Sequence, residues 1–187
     1  MKKLLISTGL LLTASLALAQ PQKPTYAYYE GFNLSMGIAQ NNTKDVTNST
    51  SLSTSVGQSK LNYTFALAYP AKLGVSATFD MRNSQINSSE NLATSTPTEL
   101  TIEPGVLLMS NSLLYGKLGA YNARFESGSN ASRNLNGTSF GVGIKHYVYG
   151  QNFIQAEWTQ RSAENNNAGS TGKFKQSSAA VLVGFNF

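Results

Sequence analysis

Lys60-Leu61-Asn62-Tyr63-Thr64-Phe65-Ala66-Leu67-Ala68-Tyr69 runs through Pro70-Ala71-Lys72 into Leu73-Gly74-Val75-Ser76-Ala77-Thr78-Phe79-Asp80-Met81-Arg82. In the first arm Leu61, Tyr63, Phe65, Leu67 and Tyr69 fall on one side of an extended chain, and Lys60, Asn62, Thr64 and Ala66 on the other. In the second arm Leu73, Val75, Ala77, Phe79 and Met81 oppose Gly74, Ser76, Thr78, Asp80 and Arg82. Successive side chains of an extended backbone point to opposite faces, so a period of two marks strands. Two such arms around a short turn read as an antiparallel hairpin.

The same rule extends outward in both directions. Phe32, Leu34, Met36 and Ile38 alternate with Gly31, Asn33, Ser35 and Gly37, and further alternating segments lie at Leu100–Leu108, Leu113–Phe125, Ser139–Val148, Phe153–Arg161 and Lys175–Phe187. In the Leu113–Phe125 segment two apolar sets compete, and placing Lys117 inward sends Leu114 and Leu118 outward. The connections alternate in length. Pro70–Lys72, Met109–Ser112 and Tyr149–Asn152 are tight, whereas Gln40–Ser59, Asn83–Thr98, Glu126–Gly137 and Ser162–Lys173 are long and rich in Asn, Ser, Thr and Gly. Short turns at one end and longer loops at the other predict an all-β chain, an eight-stranded antiparallel up-and-down barrel.

The compartment follows from the first residues. Lys2 and Lys3 precede an apolar run from Leu4 to Leu18 that closes on Ala17-Leu18-Ala19, the pattern of an export signal peptide. The expected division is 1–19 signal peptide and 20–187 barrel. With no cysteine there is neither a lipoprotein acylation site nor a disulfide staple, so backbone pairing and burial must hold the exported domain. No later stretch is apolar enough for a membrane helix. The formal net charge is +5, and removing Lys2 and Lys3 leaves a surplus too modest to signal nucleic-acid binding.

Alternation alone does not say which face is inside. A soluble ligand-carrying barrel would point the apolar face inward. Here the opposite face carries Asp80, Glu103, Lys117, Lys145, Glu157 and Arg161 among many Gly, Ser and Ala, a set too charged for an ordinary core but suited to the lumen of a narrow membrane barrel. Tyr28, Tyr69, Tyr149, Trp158 and Phe187 sit near strand ends, where interfacial aromatic girdles belong. A transmembrane barrel with its apolar face toward lipid is the resulting expectation.

Val181-Leu182-Val183-Gly184-Phe185-Asn186-Phe187 resembles the carboxy-terminal signal read by the barrel-assembly machinery of bacterial outer membranes, with apolar Val181, Val183 and Phe185 alternating up to a terminal Phe187. Glu103-Pro104-Gly105 followed by Leu113-Leu114-Tyr115-Gly116-Lys117-Leu118-Gly119 resembles the middle of small OmpA/OmpX-type and opacity-like, porin-like barrels. The resemblance implies residence in the outer membrane, with its lipid and lipopolysaccharide and the assembly machinery as partners, and a structural or loop-mediated surface role. The alternatives are a small porin-like channel and, behind it, a lipid A-modifying enzyme.

Charges inside a narrow barrel must be paired to be tolerated. Counting back from the turns sets Glu103 near Lys117 and Lys145 near Glu157, so the expected interior salt-bridge cluster comprises these four with Asp80, Arg82 and Arg161. Such a cluster would plug the lumen. The single histidine, His146, is the natural candidate for catalysis, because barrels that modify lipid A use a His with a Ser. It falls near a tight turn rather than on the outer half, and Val148 stands where a His-x-Ser pairing would need a serine. An interfacial or tyrosine-packed histidine is the expectation, and the chain is read as no enzyme. The loops lack the Asp spacing of a calcium site and the Gly-Lys pattern of a phosphate site, so neither metal nor cofactor is expected. The Asn-x-Ser/Thr matches at Asn42, Asn48, Asn62, Asn87, Asn130 and Asn136 arise from composition.

Overall fold

The structure, a computed structural model, describes residues 29–45, 51–81, 84–87, 92–126, 132–165 and 173–187. The expected signal peptide, Asn48, Tyr28 and Arg82 lie outside these residues. The strands are β1 (Gly31–Asp45), β2 (Ser51–Ala68), β3 (Ala71–Asp80), β4 (Ser84–Asn87), β5 (Leu92–Met109), β6 (Ser112–Glu126), β7 (Ser132–Tyr149), β8 (Asn152–Asn165) and β9 (Lys173–Asn186). Each neighbouring pair is antiparallel. The order β3-β2-β1-β9-β8-β7-β6-β5 closes on itself through pairing of β3 with β5, for example Val75↔Ile102, while β4 is a short arm on the outer part of β5. Eight long strands thus form an up-and-down barrel without a free edge, the closed form a bilayer demands because lipid offers no hydrogen bonds to unpaired backbone.

Closure joins the two ends of the chain. β9 pairs with β1 from Asn33↔Asn186 to Asp45↔Phe174, and the Phe187 amide donates to the Phe32 carbonyl at 2.8 Å. Phe187 packs against Phe32 and Phe185. The apolar rows predicted on each strand face outward: Ile38 is 68% exposed, Leu67 61% and Val181 59%. From Leu61 to Tyr69 the row spans ~26 Å along β2, or about 20 Å along the barrel axis at a tilt near 40°, enough to cross a thin bilayer core. Leu118 is outward and Lys117 buried, which settles the parity of β6.

The structure corrects the lengths of the loops. Gln40–Asp45 and Ser51–Ser59, expected as loop, continue β1 and β2 in unbroken register from Gln40↔Ser55 to Lys44↔Ser51. The outer parts of β5, β7 and β8 likewise begin inside, or run into, the stretches assigned to loops. Both faces are polar there, so no period of two is visible, yet the ladder satisfies the backbone as well as it does lower down.

Candidate functional site

The lumen is stacked in layers. At the tight-turn end, Tyr29, Leu107, Leu113, Tyr115, Tyr147 and Phe153 form a buried apolar cluster, with the Tyr29 ring edge-on to Tyr147 at 4.7 Å. Tyr29 precedes β1 and turns back into the barrel, and next to it Glu30 pairs with Lys72 at 2.6 Å. At the loop end a second cluster contains Tyr121, Ala123, Leu135 and Ala163 against Phe174.

Between these layers runs a chain of charge. Lys60 on β2 binds Glu103 on β5 at 2.7 Å and also Glu157 on β8. Glu157 accepts from Lys117 at 2.8 Å, from the Tyr115 hydroxyl at 2.5 Å and from Gln155 at 2.6 Å. Lys117 lies 3.7 Å from Glu99, and Glu99 accepts from Arg161 Nε at 2.8 Å and Nη2 at 2.7 Å. Arg161 Nη1 reaches Asp80 at 3.9 Å, and Asp80 is held by the amides of Gln58 and Asn41 at 2.8 and 3.2 Å. These charged side chains are almost fully withdrawn from solvent, and each carboxylate has hydrogen-bond donors around it, the condition under which buried ions are tolerated.

Of the residues assigned to the interior from sequence, Asp80, Glu103, Lys117, Glu157 and Arg161 therefore join one network. Lys145 is buried near it but makes no ion pair among the described residues. It donates to Asn33 Oδ1 at 3.0 Å and lies 4.6 Å over the Phe153 ring. The expected pairings Glu103–Lys117 and Lys145–Glu157 are replaced. In the ladder Glu103 does stand across from Lys117, between Ile102↔Leu118 and Gly105↔Tyr115, but Glu103 turns to Lys60 and Lys117 to Glu157. Lys145 faces Gln155, and Glu157 faces Gly143, one step further along. Counting from turns gives neighbours along the wall, whereas long side chains in a narrow barrel also meet across the lumen. Lys60, already on the inward face, was missed for this reason, whereas Glu99 fell between the expected loop and the Leu100–Leu108 segment and lies within β5 in the structure.

His146 is exposed on the outer wall by the tight turns. Its Nδ1 lies 2.9 Å from Ser112 Oγ and its Nε2 3.3 Å from the Asn111 side-chain nitrogen, so serine and asparagine rather than tyrosine surround it. On the rim above the apolar band, the Glu164 carboxylate accepts a hydrogen bond from Lys173 at 2.9 Å and raises its pKa. Among the described residues no group of His, Asp and Glu could hold a metal ion.

No curated protein matches this chain. Among solved structures, it is similar in fold to Ail, the attachment invasion locus protein of Yersinia pestis, at 19% identity and a TM-score of 0.61, covering 84% of this chain and 99% of that one. It is similar to Neisserial surface protein A at 12% identity and a TM-score of 0.63, covering 84% and 98%. It is also similar to the outer membrane protein OprG from Pseudomonas aeruginosa at 14% identity and a TM-score of 0.50, covering 87% and 98%. Residues 8–187 match the outer membrane protein beta-barrel domain. The closed barrel, its lipid-facing apolar wall and this match together make the chain a member of the outer membrane protein beta-barrel family, resident in the bacterial outer membrane.

Proposed function

We propose that this barrel is a closed, non-enzymatic scaffold that presents its long-loop end to the cell exterior for contact with surface ligands. The observation that carries the reading is the close packing of the described inward side chains. Two apolar layers bracket the charge network, and the void beside Glu103, Lys145 and Tyr115 is about 10 Å³, room for about one water. A continuous aqueous path would need both apolar layers and the ion pairs to part.

The polar belt supports the surface role. Beyond the apolar band, β1, β2, β7, β8 and β9 continue as paired strands with Gln, Asn, Ser, Thr and Lys outward, a stiff collar that holds loop ends away from the membrane. His146 stands by the tight turns, away from the loop end that carries the proposed surface role. Residues 1–19 as an export signal, and Val181, Val183, Phe185 and Phe187 as the strand read during assembly, complete the proposal. The test is a planar-bilayer recording of the purified mature chain. Silence is the expected result, and stable single-channel steps would replace the scaffold with a small channel.

A further inference from the structure

One member of the apolar layer at the tight-turn mouth is not anchored in the barrel wall. Leu107, Leu113, Tyr115, Tyr147 and Phe153 are fixed in β5, β6, β7 and β8, whereas Tyr29 and its neighbour Glu30 precede β1 and take part in no strand pairing among the described residues. Tyr29 is nonetheless only 1% exposed. Gly31 makes this re-entry possible. Its φ of 101° is one that residues with side chains rarely adopt, and a Cβ there would lie 2.9 Å from the Phe187 carbonyl oxygen.

The strap is held by side-chain contacts without ladder hydrogen bonds. The Glu30 carboxylate, 44% exposed, pairs with Lys72 at 2.6 Å, Asn186 Nδ2 donates to the Glu30 carbonyl at 3.0 Å, and Asn33 Nδ2 donates to the Gly31 carbonyl at 3.0 Å. The Tyr29 hydroxyl and Asn186 Oδ1 are buried and have no hydrogen-bond partner among the described residues. A hydroxyl that gives up water without replacement weakens its own docking, and an ion pair open to solvent on one side adds little. Segments without ladder bonds open at lower free energy than the ladders around them. The strap is therefore the part of the mouth most easily parted from the rest.

What it covers is Lys145. The Tyr29 ring rests on Tyr147, and the Tyr147 hydroxyl and Lys145 both donate to Asn33 Oδ1, at 3.3 and 3.0 Å, so these four side chains form a continuous line from the mouth inward. Deeper in the lumen Lys60 is clamped by Glu103 and Glu157, and Lys117 by Glu157. We propose that Tyr29-Glu30-Gly31 is a hinged stopper that swings out of the tight-turn mouth about Gly31 while the barrel stays closed. Its release opens a dead-end vestibule with Lys145 at the floor and Lys72 at the rim, presenting two ammonium groups to the compartment on that side. The inference rests on the closed lumen proposed above, because the ion network and the second apolar layer are what stop the vestibule short of a channel.

The experiment labels the full mature chain in nanodiscs with a water-soluble amine-acetylating reagent and follows the rate at each lysine by mass spectrometry. In the wild type Lys145 should react more slowly than exposed Lys175 but faster than Lys60 and Lys117, because opening the strap does not require opening the barrel. Tyr29→Ala should speed Lys145 by about 100-fold, Gly31→Ala by about tenfold and Glu30→Gln by about threefold, with Lys60 and Lys117 as protected as before. The charge swap Glu30→Lys/Lys72→Glu should return Lys145 toward the wild-type rate. The wild-type ordering decides the matter even if Tyr29→Ala fails to fold. Lys145 as protected as Lys60 in the wild type, or a folded Tyr29→Ala variant that labels Lys145 no faster, would overturn the stopper and leave the closed lumen standing. Lys60, Lys117 and Lys145 all reacting at the rate of Lys175 would instead overturn the closed lumen, and the stopper with it.

Discussion

Lys60 is the member of the interior network whose removal discriminates most sharply between arrangements of the lumen. It is 1% exposed and joins Glu103 to Glu157. Replacing it with Met keeps the stem and deletes the charge. Breaking a buried ion pair by removing one partner costs about 3–5 kcal/mol. Glu103 keeps donors from Asn62 at 3.0 Å, Ser76 at 2.7 Å and Thr101 at 3.1 Å, and Glu157 keeps Lys117, so the expected cost is near ~3 kcal/mol. Glu103→Gln alone should cost less, because Lys60 retains Glu157. The double variant Lys60→Met/Glu103→Gln should be less destabilised than the sum, with a coupling of about 1–3 kcal/mol. The companion cycle, Glu103→Gln with Lys117→Met, joins residues that face each other in the ladder but bind elsewhere, and its coupling should stay below about 0.5 kcal/mol. Both cycles are read from urea unfolding in liposomes, with heat-modified gel mobility as the folding check. Additivity in the first cycle together with strong coupling in the second would mean that Glu103 binds Lys117, and the cross-lumen network would be wrong.

Protease added to whole cells should cut within Gln40–Ser59, Asn83–Thr98, Glu126–Gly137 or Ser162–Lys173 and spare Pro70–Lys72. Cleavage confined to the tight turns would reverse the orientation. Gly143→Ala places a Cβ against the Tyr115 phenol, whose hydroxyl holds Glu157 at 2.5 Å, and should destabilise by about 1–3 kcal/mol in the same urea assay. Removing the Tyr115 side chain first, with Tyr115→Leu, should abolish that penalty. A Gly143→Ala cost that survives Tyr115→Leu would locate the clash elsewhere.

How far the sequence could be read depended on which physical constraint each residue answers to. Leu61, Tyr63, Phe65 and Leu67 against Lys60, Asn62 and Thr64 are set by lipid on one side and lumen on the other, so their alternation carries strand identity, face and hairpin partner together. Gln40, Asn42 and Lys44 on β1 and Ser51, Ser53 and Ser55 on β2 meet water on the outer face, and the contrast that reveals a strand disappears while the strand continues. The inward position of Lys117 depended on its charge, because Leu114 and Leu118 were otherwise as acceptable inside as Tyr115 and Tyr121. The partners of Lys117 were not legible. Turn counting constrains strands that adjoin, whereas Lys117 on β6 binds Glu157 on β8, with β7 between them. Lys60 on β2 reaches Glu157 across the lumen. Tyr29 carried no periodic signal, since it lies before β1 and is buried by the chain folding back into the barrel.

The composition of this interior also bears on how such a wall can exist. A barrel wall that is apolar outside and apolar inside would be built from continuous apolar stretches, and a stretch of some 18–20 apolar residues inserts into a membrane as a helix. Alternation breaks that continuity at every second residue, and here the break is made by Lys60, Asn62 and Thr64, by Ser76, Thr78 and Asp80, by Gln155, Glu157 and Thr159. Those polar groups point into a narrow lumen, and among the described residues the charged ones are paired with one another. The network from Asp80 to Glu103 is thus what an alternating strand requires once eight such strands close into a narrow barrel. Lys72 and Glu30 apply the same rule at the tight-turn mouth. On the outer wall beyond the apolar band no such closure exists: Lys44 and Lys175 face each other in the ladder and make no ion pair among the described residues.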